Sequence, residues 1–103
     1  MTDRQLTCTI ELVVKDLSLE QNIIPESTNS FDDLKAKLIP VINSLLNTDF
    51  NRLLNSLYRI DIDENKLKST LAMVKPELLA ESITDLILNR EMEKAATRIK
   101  YSS

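Results

Sequence analysis

No glycine occurs anywhere in this chain of 103 residues. Without it, no position takes a positive φ free of side-chain cost. Tight hairpins, which favour Gly or Asn at such positions, are correspondingly disfavoured, so a meander of several strands is not expected. The same gap removes the phosphate-cradling loop, the dinucleotide fingerprint and the usual nucleophile elbow, which all need close backbone approach. Histidine is missing as well. With it go the side chain whose ordinary pKa suits proton transfer near neutrality and the commonest transition-metal ligand. These two gaps point away from an enzyme, and neither a cofactor nor a metal is expected.

Other scarcities narrow the field further. Cys8 is the single cysteine, so no disulfide can form within the chain, and a thiolate zinc site would need other ligand types or several chains. With no histidine beside it, Cys8 is a poor nucleophile and is expected to be a half-buried apolar residue. Tryptophan is absent and aromatics make up 4% of the chain: Phe31, Phe50, Tyr58 and Tyr101. There is no excess of positive charge, because 13 basic residues face 16 acidic ones for a net charge of −3. Broad contact with a phosphate backbone needs a basic surface, so nucleic acid is not the expected partner. No apolar run approaches the roughly 18 residues of a membrane span. The stretch Leu6–Leu17 carries Thr7, Thr9, Glu11, Lys15 and Asp16, which spoil a signal-peptide core. The expected location is therefore cytoplasmic, away from membranes.

What the chain does contain suits helix-on-helix packing. Hydrophobic residues reach 43%, mostly Leu, Ile and Val, enough for one aliphatic core in a single domain over 1–103. Residues 1–30 read as an N-terminal segment, a strand over 6–15 followed by a linker, and residues 31–103 as a helical core. The N-terminal pattern fits two periods. Cys8, Ile10, Leu12 and Val14 alternate as one face of a strand, while Leu6, Ile10, Val13 and Leu17 form a helical stripe. The β-branched content favours the strand. A lone strand has unpaired edges that invite a second copy of the chain.

Downstream the helical signals are plain. Ser30 and Asp33 have the form of a capping box, and Phe31, Leu34, Leu38, Val41, Ile42 and Leu45 recur at helical steps over about 31–46. Pro40 should kink or split that helix. Thr48 or Asp49 caps a second helix carrying Phe50, Leu53, Leu54, Leu57 and Tyr58. Asp63 caps a third over about 64–74, with Ile62 and Leu67 as a hydrophobic staple. Pro76 suits the first position of a fourth, which reaches about Lys100. Beyond Arg90 its apolar content thins to Met92, Ala95, Ala96 and Ile99, so its last turns should lie on the surface or project towards a partner.

Motifs that carry chemistry give way to simpler readings. Asp61, Asp63 and Asn65 match the start of a calcium loop, but Lys66 stands where glycine is needed and Ala72 where a bidentate Glu is needed. The pairs Asp32–Asp33, Asp61–Asp63 and Glu77–Glu81 fall at helix N-termini, where the macrodipole accounts for them. Glu77, Glu81 and Asp85 share a helix face, but di-metal sites in bundles usually add histidine.

The stretches Leu53–Leu71 (LLNSLYRIDIDENKLKSTL) and Asp85–Arg98 (DLILNREMEKAATR) resemble a group of short, uncharacterised helical proteins from bacteria. The resemblance covers about half the chain and implies a helical fold without assigning a functional residue. The fold expected is mainly α, an irregular bundle of about four helices with or without the N-terminal strand. The function expected is non-catalytic protein–protein interaction, with a partner protein or as a homodimer. The contact residues would be Ile10, Leu12 and Val14 on the strand and Met92, Ala96 and Ile99 on the last helix. Two alternatives stand beside it. One is an anion-binding or enzymatic pocket between helices built on Arg52, Tyr58 and Arg59, because arginine offers a fork of donors. The other is association with nucleic acid through the basic residues of 90–100.

Overall fold

The computed structural model describes residues 3–20 and 22–102. It shows five α-helices in the order α1 (Asp3–Asp16), α2 (Phe31–Thr48), α3 (Phe50–Ile60), α4 (Glu64–Met73) and α5 (Pro76–Ser102). Residues 1, 2, 21 and 103 of the domain expected over 1–103 lie outside the described residues. The described residues include no strand.

The segment expected as a strand is instead a helix, α1, which makes five helices where about four were expected. Both sequence patterns turn out to mark buried surface. Leu6 and Val13, with Leu17 just beyond the helix end, enter the main core. Cys8 and Leu12 pack on a second face against Ala95, with Ile99 alongside. A helix buries both sets and satisfies its own backbone, whereas a single strand would leave donors and acceptors unpaired. The strand preference of β-branched residues spans only about 1 kcal/mol, so tertiary burial outweighs it. Thr9, which argued for the strand, bonds its hydroxyl back to the Gln5 carbonyl at 2.8 Å.

The remaining boundaries follow from local chemistry. Ser30 Oγ accepts from the Asp33 amide at 3.0 Å and starts α2. That helix runs unbroken through Pro40. Pro40 and Ala36 are both exposed, so the carbonyl deprived of its donor lies on the solvent side. Asp49 ends α2 and caps α3, accepting from the Arg52 amide at 3.3 Å. Asp63 caps α4 by accepting from the Asn65 and Lys66 amides. Pro76 opens α5.

Two helices close in a way that bears directly on the missing glycines. The Leu19 amide bonds the Val14 carbonyl and the Ser18 amide bonds that of Lys15. Ile62 and Asp61 repeat the pattern on Leu57 and Tyr58. These are Schellman closures, which ordinarily place glycine in the left-handed position. Here Ser18 (φ 53°) and Asp61 (φ 70°) occupy it. A left-handed non-glycine residue costs on the order of 1 kcal/mol, so surrounding contacts must hold both.

At 27 residues, α5 is about 40 Å long, which matches the longest dimension of the molecule, 40 Å. It is the spine of the fold, and α1 and α2 make the most extensive contacts with it. Ala80, Ile83, Ile87 and Leu88 of α5 join Leu34, Leu38 and Ile42 of α2 and Leu53, Leu57 and Ile60 of α3 in the main core. The linker between α1 and α2 contributes Ile24 to this core. The later turns of α5, expected to be bare or projecting, are covered by α1. No helix among the described residues is long and apolar enough to cross a membrane.

Candidate functional site

Where α1 covers α5, its C-terminal end brings Asp16 against Glu91 and Lys94, although Asp16 and Lys94 are 78 positions apart in sequence. The cause is the stripe on α5. Ile83, Ile87, Glu91 and Ala95 are all fully buried and follow one another at four-residue steps, so Glu91 occupies a core position. Its side chain is 0% exposed and Asp16 only 5%. Lys94, whose side chain is 25% exposed, sends its ammonium in from the rim. Nζ donates to Asp16 Oδ2 at 2.8 Å and lies 3.0 Å from Glu91 Oε1 as an ion pair.

The three groups are unevenly satisfied. Neither carboxylate oxygen of Glu91 meets a donor in hydrogen-bond geometry. The buried hydroxyls of Thr9, Ser56 and Thr84, by contrast, all bond carbonyls of their own helices. Burial, then the neighbouring Asp16 carboxylate, push the Glu91 carboxyl up to about 7, with Lys94 pulling the other way. For Lys94, burial works against the ammonium, but its bonds to Asp16 and Glu91 outweigh it and place its pKa above the usual lysine range.

The same end of α1 is clamped from α3. Arg52 Nη2 donates to the Leu17 and Ser18 carbonyls at 3.1 and 2.7 Å. Arg59 Nη1 donates to the Asp16 carbonyl at 2.9 Å and to Ser18 Oγ at 3.2 Å. Two guanidinium groups thus meet the negative end of the α1 dipole and pin the strained Ser18. Arg52 and Arg59 both reach this end of α1, where Arg52 Nη2 and Arg59 Nη1 are engaged by its carbonyls and by Ser18 Oγ. Tyr58 is exposed on the same helix.

The expected partner contacts also have intrachain places. Leu12 is buried, Ile10 and Val14 are half-buried against the main core, and Ile99 is half-buried against Ala95. Met92 is half-buried and Ala96 is exposed. In the basic stretch, Arg90 pairs with Asp61 at 3.3 Å and with Glu93, and Lys94 with the buried acids. Several of the other acids singled out are engaged separately: Asp33 with Lys37, Asp85 with Lys35, and Asp63 as a cap. Among the described residues, no group of three acids or cysteines is arranged to hold a metal ion.

Sequence reasoning missed Asp16, Glu91 and Lys94. A signal was present, since Glu91 continues the apolar four-residue stripe from Ile83 and Ile87 to Ala95. Chemically, a carboxyl near neutrality suits proton transfer, but Glu91 is fully buried. Burial and the second acid therefore favour the protonated form of Glu91 more than water would. Compared with protein-family models, curated proteins and solved structures, the chain matches none of them.

Proposed function

We propose that this chain is a non-catalytic helical module that binds a protein partner, a second copy of itself included, through the corner between α4 and α5. One observation carries the proposal. Leu71, Met73 and Leu78, at 37%, 83% and 50% exposure, fall within 71–78 where one helix ends and the next begins. Isolated exposed apolar residues are ordinary, whereas a group of them marks an interaction surface. Methionine suits such a surface because its flexible thioether adapts to varied partners. The local chemistry agrees, since among the described residues the strongly perturbed carboxyl, Glu91, is fully buried.

Light scattering after size exclusion tests self-association. The wild-type mass should rise from 11.8 kDa towards twice that value with concentration. The double substitution Met73→Asp and Leu78→Asp should hold it at the monomer mass. A wild type that stays monomeric directs the corner to a foreign partner, which crosslinking should capture with the wild type and lose with the double variant. Equal crosslinking by both proteins would remove the corner from the proposal.

A further inference from the structure

The seam between α1 and α5 holds two buried acids and one base. With all three ionised, it would carry a net negative charge in a place closed to water, which is costly. One proton on the acid pair removes that charge. It also gives one of the otherwise unpartnered Glu91 oxygens an O–H that can be donated to the neighbouring Asp16 carboxylate. What remains is a neutral pair, Asp16 with Lys94, joined at 2.8 Å.

We propose that this seam is a proton-operated latch, closed while Asp16 and Glu91 share one proton beside the Lys94 ammonium and loosened when that proton passes to solvent. The charged groups acting on Glu91 are Asp16 from α1 and Lys94 from its own helix. Arg59, from α3, bonds only the Asp16 backbone carbonyl in this cluster. Arg90, next to Glu91 in sequence, is drawn away to Asp61. The Glu91 carboxyl titrates near neutrality, so the latch works in an ordinary pH range. Loosening would lift α1 from α5 and uncover Cys8, Leu12, Ala95 and Ile99, the apolar cluster of this seam. This inference is independent of the α4–α5 corner.

Cys8, 9% exposed and inside the seam, is the reporter. Its rate of labelling by a maleimide, divided at each pH by the rate of a free model thiol, reads how often the seam opens. A carboxyl at 4.5 when open and about 7 when closed makes opening about tenfold more frequent at pH 8 than at pH 6. Glu91→Gln keeps the shape and stays neutral, so its normalised profile should be flat. Asp16→Asn removes the neighbouring negative charge and should move the wild-type midpoint to lower pH. A flat wild-type profile, or a profile that neither substitution alters, would overturn the latch. If Glu91→Gln does not fold, as read by circular dichroism, the Asp16→Asn midpoint decides: a downward shift supports the latch and an unmoved midpoint ends it.

Discussion

The spine helix α5 is covered by two neighbours on different principles. Against α2 the shared core is apolar: Leu34, Leu38 and Ile42 join Ile83 and Ile87 there, all 0% exposed. Charge stays at its edge, where Lys35 reaches Asp85 at 2.9 Å. Against α1 the charge is inside, with Glu91 and Asp16 buried and a small apolar cluster of Cys8, Leu12 and Ala95 beside them. Apolar burial depends little on pH. A buried acid pair with one base is conditional, because its cost depends on how many protons it holds. One side of α5 is thus built for permanence and the other for response.

The two seams should diverge most under Lys94→Met. Removing one member of a buried ion pair leaves charge uncompensated and costs about 3–5 kcal/mol, and here two acids lose their common partner. The loss should be larger at pH 8 than at pH 5, where the proton on the acid pair softens it. Urea denaturation at both values would check this. Leu38→Ala in the apolar core should cost about 3 kcal/mol through lost transfer energy and the cavity left behind. Its cost should be equal at the two pH values. Similar pH dependence in both variants would erase the distinction between the seams.

A smaller effect isolates Glu91 itself. Below its unfolded value of 4.5 both states are protonated, and above about 7 neither is. Between them the folded chain holds a proton that the unfolded chain has released, so stability falls as pH rises through this window and then levels off. From pH 5 to pH 8 the fall is on the order of 2 to 3 kcal/mol, read as the difference between wild type and Glu91→Gln. Lys94 does not interfere, because its pKa lies above 10.5 and its own contribution is lost only in stronger alkali. Parallel curves for the two proteins would show that the carboxyl is not the source.

Legibility in the sequence divided along the same line. The caps at Ser30 and Asp63, the start of α5 at Pro76 and the apolar stripe of α2 were readable, because capping and helical periodicity are local; for α3 the choice between Thr48 and Asp49 stayed open until the structure placed Asp49. The identity of α1 was not, because its residues satisfy two periods and only the presence of α5 decides between them. Continuity of α2 through Pro40 likewise depends on which side faces water. The Asp16–Glu91–Lys94 cluster needs distant parts of the chain to meet. Once α1 is known to be a helix, Asp16 is an anomaly, an acid at the negative end of a dipole. Lys94, Arg52 and Arg59 resolve it from elsewhere in the chain. Arg52 and Arg59, expected as polar groups of an anion pocket, bond the backbone of α1.

The closest control for burial is Lys35. It and Lys94 each bind an aspartate at nearly the same distance, 2.9 and 2.8 Å, and each has its pKa raised, Lys35 chiefly by its bond to Asp85. They differ in surroundings: the Lys35 and Asp85 side chains are 33% and 48% exposed, whereas Asp16 is nearly enclosed. An exposed pair is screened by salt and its members are readily solvated apart. Lys35→Met should therefore lower Tm slightly at low ionic strength and leave it unchanged at high ionic strength. Lys94→Met should keep most of its penalty in both, because salt does not reach a buried charge. Thermal melts of the two variants at low and high salt make the comparison directly. An equally salt-sensitive loss in both would mean that water enters the α1–α5 seam as freely as it bathes the surface. The acids there would then have no reason to share a proton.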